Sequence, residues 1–144
     1  MGIFSNREES TALDIDEFLK QRILTPKVFL TPLENEKYVR VYGQPKYADI
    51  RGALVRGAIE EGEPFWQGKV FVESGISDEG EIPAKSIYRV VFDGRVIGEL
   101  SEFDRRAAEV LDFNEPNRYV ARAVIQDDLI GCLVQLFVDP ENKL

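Results

Sequence analysis

Between Ser86 and Leu111 the chain changes from a two-residue hydrophobic rhythm to a helical one. Ser86 to Phe92 and Arg95 to Leu100 are runs of β-forming residues that meet at Asp93-Gly94, a pair that accepts the positive φ angles of a two-residue turn. The pattern predicts a hairpin with those arms. Gly98 inside the second arm predicts a β-bulge or a close approach of another backbone. Behind the hairpin, Ser101 and Asp104 can satisfy the orphan amides of a helix start, and Phe103, Ala107, Val110 and Leu111 recur at helical spacing. A helix over Glu102 to Leu111 follows.

The same reading extends to both sides. Tyr38 to Tyr42 alternates as a half-buried strand that Gly43-Gln44-Pro45 ends. A short helix comes next, with Ile50, Ala53 and Leu54 facing inward, Asp49 near its start and Gly57 as a left-handed cap; Arg51 and Arg56 lie off the stripe. After the acidic turn at Glu60 to Pro64, Phe65, Trp66 and Gly68 lead into a strand over Lys69 to Glu73, then a polar loop from Ser74 to Pro83. Tyr119 to Gln126 and Ile130 to Asp139 form a second hairpin across Asp127-Asp128-Leu129, with Ile130, Cys132, Val134, Leu136 and Val138 committed to a core. Upstream, residues 1 to 13 read as a polar lead-in. Ile15, Phe18, Leu19 and Ile23 read as one face of a short amphipathic helix, and Pro26 and Pro32 confine Val28 to Leu30 to extended chain. The expected organisation is a tail, helix and extended linker over 1–36 and a β domain over 37–144. About six strands joined by tight turns, with two short helices, predict a mainly β chain whose antiparallel sheet curls into a small barrel.

Composition narrows the chemistry. The 144 residues are 44% hydrophobic and 31% charged, which suits one soluble domain. Absence of histidine removes the commonest general base and metal ligand, so zinc sites and Ser-His or Cys-His nucleophiles drop out. The lone Cys132 forms no internal disulfide and points to a reducing compartment, so the cytoplasm is the expected location. No apolar run approaches the roughly 20 residues of a membrane span, and no membrane partner is expected. Net charge is −8, which opposes non-specific duplex binding. That charge is uneven: over residues 37–60, Lys37, Arg40, Lys46, Arg51 and Arg56 face only Asp49 and Glu60, a local balance of +3. The acids Asp78, Glu79 and Glu81 match no metal-binding spacing and read as a solvated loop. No catalytic residue, metal site or cofactor motif stands out, and no enzymatic activity is expected.

Two stretches resemble the HIRAN domain. One is Val41-Tyr42-Gly43-Gln44-Pro45-Lys46-Tyr47-Ala48-Asp49-Ile50, similar to that family's opening strand, glycine, and basic residue followed by tyrosine before a helix. The other is Asp93-Gly94-Arg95-Val96-Ile97-Gly98-Glu99-Leu100 with the helix after it. The likeness runs from about residue 37 to 139, and the family's Asn-Pro-Tyr-Asp-type segment is replaced by Glu81-Ile82-Pro83-Ala84-Lys85-Ser86. The resemblance implies a small OB-like, partly open antiparallel barrel of the α+β class, which in eukaryotic members holds the 3′ end of single-stranded DNA. It places Lys46 and Tyr47 as a ligand-facing cation and ring, with Arg40, Arg51 and Arg56 as phosphate contacts around them. The leading expectation is a non-enzymatic module whose partner is single-stranded DNA or a DNA end. The alternative is an acidic protein-interaction module in which Phe65 and Trp66 meet a protein partner and the barrel is a scaffold.

Overall fold

A computed structural model describes residues 30–42, 44–77, 86–128 and 131–144. Six strands, β1 (Lys37–Val41), β2 (Trp66–Ile76), β3 (Ser86–Phe92), β4 (Arg95–Ser101), β5 (Arg118–Asp128) and β6 (Gly131–Lys143), form one sheet in the order β1-β6-β5-β2-β3-β4. Every neighbouring pair is antiparallel. The sheet curls into a half-barrel, the mainly β curled sheet that the strand and turn pattern predicts, and is consistent with the small OB-like α+β fold that the resemblance implies. Two helices complete it, α1 (Ala48–Glu60), entered through a 3-10 turn over Pro45–Tyr47, and α2 (Arg105–Val110).

The inner face follows the two-residue alternation of the strands. Val39 and Val41 of β1, Val70 and Val72 of β2, Tyr88 and Val90 of β3, and Val134, Leu136 and Val138 of β6 are all buried. Val55 of α1 and Ala107 and Val110 of α2 join the same cluster. Asp93 (φ 51°) and Gly94 (φ 76°) both take the left-handed conformation that a type I′ hairpin needs. The β3 and β4 arms fall within one residue of the predicted bounds, because the turn that sets their register is local chemistry.

Gly98 borders the bulge that its position predicts, and what approaches it closely is side chains rather than another backbone. Val90 pairs with Gly98 and Val91 with Val96, so Ile97 is the extra residue of a bulge. A Cβ on Gly98 would lie 2.9 Å from an Arg51 guanidinium nitrogen and 2.9 Å from Val41 Cγ1.

Four details differ from the sequence expectation. Helix α1 runs straight through Gly57 and ends at Gly62 (φ 85°), where Glu63 N–H donates to Ala58 O and Gly62 N–H to Ile59 O, a Schellman closure. Its inward stripe is centred on Arg51, Val55 and Ala58, with the expected Ile50 and Leu54 packed beside it and Ala53 exposed. Helix α2 starts later than predicted because Asp104 is its N-cap, accepting from Arg106 N–H at 3.0 Å and Ala107 N–H at 3.2 Å. Ser101 Oγ instead accepts from Phe103 N–H, and Phe103 precedes the helix with its side chain in solvent. Third, β2 continues to Ile76, and β6 continues to Lys143 past a register irregularity that accommodates Pro140. Fourth, β6 buries both faces over Val134–Val138, not one. Gln126 Nε2 donates to Gln135 Oε1 at 3.1 Å on the second face, and Phe137 packs against the tilted Tyr38 ring and lies under the Arg122 guanidinium. Glu36 pairs with Arg122 at 2.7 Å, so the segment before β1 is tied to the sheet from that residue on. The predicted amphipathic helix at Ile15 to Ile23 and the loop around Asp78 to Glu81 lie outside the described residues.

Gly57 sits in the helix interior, and a Cβ there meets nothing within 4 Å. Replacing it with alanine removes backbone freedom from the unfolded chain without a clash. The expected outcome for Gly57→Ala is a gain of about 0.5–1 kcal/mol in urea unfolding.

Candidate nucleic-acid interface

The strands β1 and β4 are the two outer strands of the half-barrel, and the turn between β1 and α1 spans the seam between them. Pro45 takes the first position of the 3-10 turn, where its fixed φ is an advantage and its missing N–H costs nothing. Tyr47 N–H donates to Gln44 O at 2.9 Å and Tyr47 is the backbone N-cap of α1, so its side chain is left to reach across the seam.

The reach ends at β4. The Tyr47 hydroxyl donates to the Glu99 carboxylate. Lys46 Nζ lies 3.2 Å from the same carboxylate oxygen and 5.3 Å from the centre of the Tyr47 ring. Gln44 treats the Glu99 backbone as a neighbouring strand would: its Nε2 donates to Glu99 O at 2.9 Å and its Oε1 accepts from Glu99 N–H at 3.0 Å. Burial, then the hydrogen bond to Glu99, pushes the Tyr47 hydroxyl above its ordinary pKa.

Beneath this cluster is Arg51, with 1% of its surface exposed. Its Nε donates to Ile97 O at 2.7 Å, one Nη to Tyr42 O at 3.1 Å and the other to Gln44 Oε1 at 3.0 Å. Burial lowers its pKa from the ordinary arginine value. As an accessible phosphate contact, Arg51 is therefore corrected: its donors are spent on the fold, because the bulge at Ile97 presents a carbonyl that the β3–β4 ladder does not use.

The other sequence candidates separate into four places. Lys46 and Tyr47 lie together at the seam, the lysine exposed and the ring half-buried. Arg40 is exposed on β1 with its guanidinium 5.1 Å from the Tyr42 ring centre. Arg56 is exposed on α1, about 140° around the helix from Arg51 at 100° per residue. Phe65 and Trp66 are half-buried at the far end of α1, with Trp66 packed edge-on against Phe92 at 4.8 Å. Helix α1 has 13 residues, so that end is about 20 Å from the seam at 1.5 Å per residue.

Sequence reasoning missed four contributors. The Tyr42 ring is 59% exposed and borders an open hollow of about 520 Å³ that also takes in Arg105, Arg106 and Glu109. Gln44 and Glu99 were invisible because their bonds join residues 55 apart, with no local pattern to mark them. Arg106 Nε donates to Tyr38 O at 2.9 Å and so covers part of the β1 edge.

Among the described residues no three His, Cys, Asp or Glu side chains converge as metal ligands, and no helix is long and apolar enough to cross a membrane. Segment 81–86, where the chain departs from the HIRAN pattern, lies outside the described residues except for Ser86. No protein-family model matches the chain, and no curated protein and no solved structure matches it. What defines the molecule is thus an OB-like half-barrel with a cation-and-tyrosine rim beside its seam.

Two outcomes follow from the seam. Arg51→Met keeps the volume but leaves Ile97 O and Tyr42 O without the Arg51 donors and Gln44 Oε1 with only the Glu99 N–H, and unfolding in urea should show a loss of about 2–4 kcal/mol. Arg51→Lys recovers only part of this, since an ammonium cannot fork to three acceptors in one plane. The second concerns alkaline pH. Burial raises the pKa of both Tyr47 and Tyr88, whose hydroxyl also donates to Asp112 O. The folded state keeps these protons where the unfolded state, with an ordinary tyrosine pKa of 10.0, releases them. Their contribution is full below that pH and is lost as pH rises beyond it. Thermal melts should fall above pH 10 and fall less steeply in Tyr88→Phe.

Proposed function

We propose that the chain is a non-enzymatic module that binds single-stranded nucleic acid or a DNA end, in the manner of the HIRAN domain its sequence resembles. The observation that carries this reading is the pairing of rings with cations along one rim: Arg40 with Tyr42, and Lys46 with Tyr47. Bases stack on exposed rings at about 1–3 kcal/mol each, regardless of sequence, and neighbouring cations take the phosphates. Past Tyr42 the rim is balanced in charge, since Arg105 and Arg106 share the hollow with Asp104 and Glu109 and Arg106 is paired with Glu109 at 3.2 Å.

Charge sets the limits of this binding. A molecule of net charge −8 repels a long polyanion, but beyond about 8 Å at physiological salt the distant acids are screened and the rim acts alone. Glu99 faces the Lys46 ammonium and opposes any phosphate placed there. Stacking therefore carries more of the affinity than charge does, and single strands, whose bases are free, are preferred to duplex.

Titration of a labelled short single-stranded DNA, free or blocked at its 3′ end, tests this against the same sequence as duplex. Tyr42→Ala and Tyr47→Ala each weaken binding by about 5- to 100-fold, the range that one stacked base supplies. Glu99→Gln tightens it, and two or three phosphate contacts give a salt slope of about −1.4 to −2.1. Absence of binding at low salt refutes the proposal, and binding untouched by both tyrosine variants moves it off this rim.

A further inference from the structure

The last turn of α1 carries the opposite charge to the one its dipole favours. A helix C-terminus is its negative pole, where cations stabilise and anions do not. Helix α1 has no basic residue in its last turn, and Glu60, Glu61 and Glu63 stand at or just past its end. Among the described residues no ion pair offsets any of the three.

Beside these acids is a hollow of about 390 Å³. Leu54, Phe65 and Trp66 wall it, Glu61 and Glu63 rim it, and Gly57 lies on its floor. Gly57 has neither a backbone nor a packing reason to be glycine. It lies within α1 with no positive φ, and a Cβ would meet open space. A helix interior disfavours glycine, so what the residue provides is room. The site combines apolar lining, a half-buried indole, unbalanced carboxylates and a cleared centre.

We infer that this hollow docks a protein partner through a segment that presents an arginine or lysine among apolar residues. The aliphatic stem lies along Leu54 and Phe65, the cation meets Trp66, and Glu61 and Glu63 supply the counter-charge at the negative end of α1. A cation there relieves the charge conflict that the fold leaves standing, whereas an acidic or purely apolar segment does not. This surface is independent of the nucleic-acid rim, about 20 Å away along α1.

Trp66 is the only tryptophan in the chain, so its emission reports on the hollow directly. The test titrates the full chain with a blocked peptide of alternating leucine and arginine, with its leucine–glutamate counterpart, and with free arginine. The expected result is a saturable change in emission with the arginine peptide alone, weakened by salt. The double variant Glu61→Lys, Glu63→Lys binds roughly tenfold more weakly, as juxtaposed like charges require. Gly57→Leu fills the floor and also loses binding, while its melting temperature holds or rises, which separates a blocked site from a damaged fold. The inference is overturned if emission is unchanged up to millimolar peptide, if the glutamate peptide acts equally, or if free arginine binds as tightly as the peptide. It is overturned likewise if the charge-reversed protein binds like the parent.

Discussion

The half-barrel is closed by one buried guanidinium. Strands β1 and β4 stand at opposite ends of the sheet order and share no ladder, yet Arg51 bonds the last carbonyl beyond β1, at Tyr42, and the bulged carbonyl of β4, at Ile97. Taking a charge out of water costs several kcal/mol unless its donors are well matched. Here three acceptors fan around the planar fork: the carbonyl just past β1, the bulged carbonyl of β4, and Gln44 Oε1, which the Glu99 N–H also reaches. The bulge, Gly98 and Arg51 depend on one another. The bulge offers the carbonyl, the missing Cβ gives the guanidinium its space, and the guanidinium satisfies the carbonyl. Loss of any one strands the other two. The arrangement also blunts the edges of an open sheet, since Gln44 and Arg106 occupy further edge groups on β4 and β1 that another chain would use for pairing.

The same clamp fixes the rim. Arg51 holds Gln44, Gln44 holds the Glu99 backbone, and the Glu99 carboxylate holds Lys46 and Tyr47. A ligand that stacks on Tyr47 thus meets a ring whose position is set by the closure of the fold, which lowers the entropy lost on binding. Glu99 has two consequences that oppose each other. It orders the lysine and tyrosine, and it neutralises the lysine locally. A rim built this way discriminates by ring and shape, and is a weak reader of phosphate.

How much of this the sequence discloses depends on how local each cause is. Asp93-Gly94 fixes a hairpin within four residues, and both strand bounds follow from it. The alternation in β6 likewise shows its core side directly. Arg51 is different. Hydrophobic periodicity treats arginine as a surface residue; of the expected stripe, Ile50 and Leu54 do pack against the core while Ala53 is exposed, and the helix continues past Gly57. The true stripe is centred on Arg51, Val55 and Ala58, and nothing near residue 51 shows that its acceptors are carbonyls at Tyr42 and Ile97. For α2, two plausible caps stood three residues apart, and only tertiary packing of Ala107 and Val110 decides for Asp104. The alternation that buries Val39 and Val41 also puts Tyr38 and Tyr42 on one list, although the Tyr42 side chain projects past the end of the strand into solvent.

One helix axis organises the electrostatics that remain. Helix α1 begins beside Lys46 and the half-buried Tyr47, and ends at Glu60, Glu61 and Glu63. Its dipole makes the first end positive and the second negative; at the second end the carboxylates add to the backbone field, while at the first Glu99 and Asp49 offset Lys46 and leave the backbone dipole as the positive contribution. An anionic strand is drawn towards the seam and driven from the acidic end, while a cationic segment experiences the reverse. Because the two ends are about 20 Å apart, more than two Debye lengths at physiological salt, occupation of one changes the field at the other very little. In a chain with a net charge of −8, distance along α1 rather than total charge separates the rim from the acidic end, so the two proposed ligands would bind additively rather than in competition.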